Sequence, residues 1–207
     1  MGKTPLHYQI SNFDCGPTTM LNAISFLFPR DQIPAEVVRN IMLYSLDTYS
    51  CSGRCGESGT SRTAMMFLSN WLNGFAEVGS LRIRTQYLSG AEASLEESGS
   101  IVTALRCRGA AVLRVMLDEW HYVLGTGVEG DMIQIFDPYY DETEEFIAPG
   151  ILRAEDHPDS YNRLVPLSFF REEEGLYSMG EVRIREAVLL FNKGTELTPE
   201  KTIEYFI

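Results

Sequence analysis

Residues 14–28 read Asp14-Cys15-Gly16-Pro17-Thr18-Thr19-Met20-Leu21-Asn22-Ala23-Ile24-Ser25-Phe26-Leu27-Phe28. Met20, Leu21, Ile24, Leu27 and Phe28 recur at the spacing of a helix with one apolar side. Asp14 stands where an N-cap belongs, Pro17 falls in the first turn where its missing N–H loses no hydrogen bond, and Pro29 ends the segment. This reading sets the Cys15 sulfur at a helix start, where unpaired backbone N–H groups and the positive dipole end stabilise an anion. Thiols in such surroundings, with an imidazolium nearby, ionise at about 3.5 to 7.5 and become nucleophiles. Gly16 leaves room for a substrate to approach.

Outward from this helix the pattern continues in the same mode. A second helix starts near Pro34 with Val37, Val38, Ile41, Met42 and Leu46 as its apolar stripe. Residues 47–59 are polar and glycine-rich, hence a loop, after which Thr60 or Ser61 caps a third helix bearing Met65, Met66, Leu68, Trp71 and Leu72 and closed by Gly74. Residues 81–88 alternate as a strand, and 91–107 read as a helix. Beyond this the runs 111–117, 120–126, 132–136 and 184–191 are β-branched or aromatic and separated by glycine and acidic turns. The stretch 139–180, with Pro149-Gly150, Pro158, Pro166 and Gly175, reads as irregular, with at most a short strand or helix. The expected class is α+β in one domain over 1–207, with a helical part over about 1–107 and an antiparallel sheet over about 108–207.

A nucleophilic thiol needs a base, and the chain holds three histidines: His7, His121 and His157. His121 opens the strand Trp120-His121-Tyr122-Val123-Leu124, and the next strand ends at Phe136-Asp137-Pro138. A turn centred on Glu129 and Gly130 would set His121 opposite Asp137 or one position from it. A carboxylate there orients the imidazole and stabilises its charged form. The structural alternative is a satisfied core histidine beside an Asp-Pro turn. Gln9, on an extended segment shortly before Cys15, can offer its amide, with the Cys15 backbone N–H, to a developing oxyanion.

The bulk composition limits the partners. With a net charge of −12 and no Lys/Arg-rich run, the chain repels a phosphate backbone, so no nucleic acid is expected; the acidic surface reads first as a solvated face, with a basic peptide as the substrate it would otherwise suit. The sequence contains no apolar run of the ~18 to 20 residues a membrane helix needs, and Met1 to Pro5 lacks the apolar core of a secretion signal. A soluble, cytoplasmic protein without membrane insertion is the expectation. The cysteines at 15, 51, 55 and 107 show no disulfide framework, and Cys51 with Cys55 lacks the second pair a zinc site requires. No metal or cofactor is expected, and oligomeric state is not legible.

Taken in order, Gln9, Asp14-Cys15-Gly16-Pro17-Thr18, Trp120-His121-Tyr122-Val123 and Phe136-Asp137-Pro138 resemble the bacteriocin-processing (double-glycine leader) cysteine peptidases and their standalone papain-like relatives. The resemblance spans roughly residues 6–138 and includes Gly59-Thr60-Ser61 as a glycine-containing turn before a later helix. It implies a papain-like fold, with Gln9 as oxyanion residue, Cys15 as nucleophile, His121 as general base and acid, and Asp137 as its orienter. It also implies hydrolysis of a peptide amide through an acyl-enzyme, with leader-peptide processing as one form. The best-known members sit on membrane exporters, whereas this chain has no apolar span and adds some seventy residues after Asp137. An acyltransferase on the same scaffold and a non-catalytic peptide-binding relative are the competing functions.

Overall fold

A computed structural model of the chain describes residues 4–140 and 148–198. Its elements are α1 (Cys15–Leu27), α2 (Ala35–Ser45), α3 (Arg62–Val78), β1 (Ile83–Ser89), α4 (Ser100–Arg106), β2 (Ala110–Met116), β3 (Trp120–Glu129), β4 (Met132–Phe136), β5 (Leu152–Arg153), β6 (Arg163–Pro166), α5 (Leu167–Arg171) and β7 (Glu186–Asn192). The seven strands form one sheet in the order β1-β7-β2-β3-β4-β6-β5, and every pairing is antiparallel. The class is α+β. The sheet draws on both halves of the chain, because β1 pairs with β7 along Ile83↔Asn192 to Ser89↔Glu186.

Strand alternation sends successive side chains to opposite faces of this sheet. On one face Val112, Tyr122, Leu124, Phe136, Val188 and Leu190 pack against Met20, Ile24, Ile41, Met65, Leu68 and Leu72 of the first three helices. On the other, Leu113, Val115, Val123, Ile133, Ile135 and Leu189 meet Ile101, Leu105, Phe170 and Tyr177. Both faces are therefore buried, which is why β7 reads as a continuous apolar run with a single charged residue, Glu186, at its start.

Several local expectations differ from the structure for physical reasons. The helix expected over 91–107 contracts to α4, Ser100–Arg106, with Gly99 as its N-cap; Leu95 is buried from a loop instead of from a helical turn. Helix α3 runs past Gly74 to Val78 and stops at Gly79, since Phe75 and Ala76 continue the packing stripe after a glycine that has nothing around its Cα to demand a turn. In α2 only one edge of the expected stripe is covered: Val37 and Ile41 are buried, whereas Val38 and Met42 are exposed. The stretch 139–180 holds more order than its composition suggests, because Leu164 and its neighbours in β6 extend the ladder from β4 and α5 follows directly. Its residues 141–147, with Asp141, Glu142, Glu144 and Glu145, lie outside the described residues. No helix among the described residues is long and apolar enough to cross a membrane.

Candidate active site

Cys15 is the first residue of α1, and Asp14 occupies the N-cap position without capping. Its carboxylate turns back instead, accepting from the backbone N–H of Ile10 at 3.0 Å, the N–H of Ser11 at 2.6 Å and the Ser11 hydroxyl at 2.7 Å. Burial raises the Asp14 pKa, but these donors outweigh it and hold the carboxyl below its ordinary value. The expected cap is thus a clasp on the loop joining Gln9 to Cys15.

Two hydrogen bonds tie α1 and the segment before it to the β3–β4 hairpin and the residues that follow it. The Thr19 hydroxyl, one turn after Cys15, donates to the carbonyl of Tyr122 at 2.9 Å, next in sequence to His121. The Gln9 N–H donates to the Pro138 carbonyl at 2.8 Å, next to Asp137. These contacts, 103 residues apart in the first case, bring the ends of the four-residue constellation to one rim of the sheet. Gln9, Cys15 and His121 line a single cleft of about 350 Å³, together with Asn12, Trp120 and Tyr139.

His121 and Asp137 meet, though by a different register from the one expected. The ladder runs Leu124↔Phe136 and Gly125↔Ile135, then slips by one at Thr126 to Gly127↔Gln134. Extending it past Phe136 sets Asp137 beside Val123, so His121 lies two residues further along the same face, a diagonal neighbour within reach of a side chain. Its Nε2 is 2.9 Å from Asp137 Oδ1. With Nε2 so committed, Nδ1 is the ring nitrogen left for Cys15, whose side chain is within interaction range of the imidazole.

Asp137 is wholly buried, yet each carboxylate oxygen is occupied. Oδ1 also accepts from the Tyr139 N–H at 2.9 Å. Oδ2 accepts from the Tyr177 hydroxyl at 2.7 Å and faces Arg163 Nε at 3.7 Å. The side chain of Asn162 grips the backbone of Asp137 from both sides, accepting from its N–H and donating to its carbonyl, each at 2.8 Å. Burial alone would raise the Asp137 pKa; the His121 ring, Arg163 and the Tyr177 hydroxyl prevail and hold it below the usual carboxylate value. For His121 burial disfavours the imidazolium, but the Asp137 carboxylate and Cys15 overcome it and raise the pKa from 6.5 to about 10. A carboxylate that keeps its charge in the core therefore maintains a protonated ring facing the sulfur.

Gln9 joins the cleft with its amide Nε2 donating to the Ser11 carbonyl at 2.8 Å. That bond uses one of two N–H groups and leaves the second for another acceptor. The other cysteines are elsewhere: Cys51 and Cys55 are exposed, Cys107 is half-buried, and all four thiols are free. His7 is exposed and its backbone pairs with the Asn22 side chain, while His157 stacks on Tyr161 beside Asp156.

Tyr177, Arg163 and Asn162 carry no pattern that ties them to Asp137 in the sequence. They come from the glycine- and proline-punctuated stretch, and Tyr177 reaches Asp137 with a left-handed backbone, φ 60°, that no side chain of its type favours. No protein-family model matches this chain, and no curated protein matches it.

Proposed function

We propose that this chain is a cysteine-nucleophile hydrolase of papain-like architecture, akin to the bacteriocin-processing peptidases and their standalone relatives, that cleaves a peptide amide through an acyl-enzyme. The observation that carries the reading is the buried His121–Asp137 pair at 2.9 Å, whose His121 lines one cleft with Cys15 and Gln9. A core histidine with a purely structural partner has no need of a cysteine at a helix start on the cleft that it lines.

In this reading the Cys15 sulfur attacks the substrate carbonyl carbon, forming a C–S bond as the carbonyl electrons move to oxygen. The oxyanion takes hydrogen bonds from the Cys15 backbone N–H and the free N–H of Gln9, a pair in which each donor contributes about 2.7 to 4 kcal/mol to the barrier. Collapse breaks the C–N bond, and His121 delivers its proton to the departing amine. The thioester then takes water, deprotonated by His121, to release the acid and regenerate the sulfur. Asp137, held by Tyr177, Arg163 and Asn162, keeps the ring oriented through both halves of the cycle.

A peptide library incubated with the protein and quenched in acid tests this. Mass spectrometry should find a thioester adduct on Cys15 alone, absent from Cys15→Ala, and turnover should yield free acid. Turnover that rises in proportion to an added amine, with amide as product, would reassign the chain to acyl transfer. An unmodified Cys15 across the library would refute the hydrolase reading.

A further inference from the structure

A second cleft, of about 660 Å³, meets the first at Asn12, Phe13, Cys15, Asp118, Glu119 and Trp120 but does not include His121. Because His121 protonates the departing amine, the leaving group occupies the cleft that His121 lines. The acyl part of the substrate then falls to the second cleft. This assignment rests on the reading of Cys15 as nucleophile.

The floor of that second cleft is cationic in a chain that is strongly acidic overall. Arg62 and Arg114 both line it. Behind them is Glu186, 1% exposed, whose Oε2 receives Arg62 Nε at 3.3 Å and the Tyr87 hydroxyl at 2.6 Å, and whose Oε1 receives the Tyr122 hydroxyl at 2.6 Å and faces Arg114 Nε at 3.8 Å. The tyrosines remain protonated donors: burial, then Glu186, pushes Tyr87 up to about 12 and Tyr122 well above its ordinary value. One carboxylate thus holds two guanidinium groups by their Nε edges and leaves a net positive charge. Arg114 is fixed further by stacking on Trp120, with 4.0 Å from its guanidinium carbon to the ring centroid. Among the described residues no carboxylate is within bonding distance of the terminal nitrogens of Arg62 or Arg114, although such nitrogens form the fork that matches a carboxylate. The acidic residues of the same cleft do not cancel this charge. Asp118 and Glu119 are exposed at its rim, and Glu57 is paired with Arg54 at 3.0 Å, so water screens the rim carboxylates more than it screens Arg114, whose side chain is 18% exposed.

The geometry points to an anion-recognising subsite beside Cys15: Arg62 and Arg114 bind the carboxylate of an aspartate or glutamate side chain in the acyl part of the peptide substrate. The expected preference for a basic peptide, drawn from net charge, then applies to the rim and not to this position. Tyr87, Tyr122 and Glu186 are the frame that aims the two arginines.

Peptidyl chloromethyl ketones test the subsite without requiring turnover. The Cys15 sulfur forms a C–S bond to the methylene as the C–Cl bond breaks and chloride leaves. Matched probes carry Glu, Gln or Lys at each of the three residues preceding the electrophile, and every rate is divided by that of uncharged iodoacetamide on the same protein. At one position Glu should outpace Gln by about 10- to 100-fold, the range of a charge-assisted hydrogen bond, with Lys slowest. Arg114→Gln should bring that ratio close to one, and Arg62→Gln, at a half-exposed site, should lower it with less risk to the fold. Equal Glu and Gln rates at all positions, or a preference that survives both substitutions, overturns the subsite. Iodoacetamide that ignores Cys15 overturns the nucleophile reading and this subsite with it, whereas rapid Cys15 labelling with no Glu preference removes the subsite alone.

Discussion

Deprotonating His121 should weaken the fold, and by an amount the site itself sets. The ring pKa moves from 6.5 to about 10 on folding, and each pH unit between those values is worth about 1.4 kcal/mol. The folded chain therefore binds this proton with on the order of 5 kcal/mol more free energy than the unfolded chain. A base whose folded pKa is the higher one gives stability that is fully present below about 6.5, declines as pH rises, and is gone above about 10. Other titrating groups contribute to the same pH range, so the quantity to measure is the difference between the wild type and His121→Gln, which cannot gain the charge. Urea unfolding at steps from about pH 6 to about pH 11 gives that difference directly. It should favour the wild type most at the acid end and fall by several kcal/mol across the series. A difference that stays level within about 1 kcal/mol, or grows with pH, would show that Asp137 and Cys15 do not hold a proton on the ring.

Two further substitutions probe the parts that support the pair. Tyr177→Phe removes the hydroxyl that donates to Asp137 Oδ2 at 2.7 Å and should cost about 1.5 to 3 kcal/mol in urea unfolding, the worth of a hydrogen bond to a charged group; it should also bring the pKa of Asp137 closer to the ordinary value, so that acid unfolding begins at a higher pH than in the wild type. A loss under about 0.5 kcal/mol with an unmoved acid transition would deny that bond its role. Gly16→Ala drives a new Cβ to 2.1 Å from Thr60 Oγ1 and 2.7 Å from Thr60 Cβ, an overlap expected to cost about 1 to 3 kcal/mol. Combining it with Thr60→Gly should recover much of the loss in a double-mutant cycle, and strict additivity would contradict the contact.

How far the sequence reveals this architecture depends on whether a residue's role is local. Cys15 is legible because a proline in the first turn and an apolar period mark a helix start within a few residues of it. The His121–Asp137 approach is legible because a short hairpin relates both by strand alternation, but the turn falls on Gly130-Asp131, one residue later than expected, and the slip at Thr126, which leaves no trace in composition, recovers only one of the two positions so displaced and leaves the pair diagonal. The helix expected over 91–107 is too long because Leu95, Ile101, Val102 and Leu105 satisfy helical spacing while Gly99, within that run, begins the helix instead. Gly74 misleads in the opposite direction, since a glycine in mid-helix only weakens it. Tyr177, Arg163 and Asn162 are not legible: their partner is 25 to 40 residues away, and contacts across that span have no period. Glu186 reads as a strand residue with an odd charge, and only the sheet order, which sets β7 beside β2, brings it near Arg114. Gly59 is an intermediate case. Its φ of +77° suits a glycine turn before α3, yet that the turn sets Thr60 against Gly16 is visible only once the chain is folded.

Iodoacetamide labelling followed by peptide mapping at about pH 6 tests the coupling of Cys15 to His121 most directly. Exposure would order the thiols with Cys51 and Cys55 first and Cys15, only 7% exposed, last. A thiolate held by the His121 imidazolium reverses that order: Cys15 reacts fastest, and His121→Ala removes its lead. Labelling that follows exposure in the wild type, or a Cys15 lead that survives loss of the imidazole, would contradict it.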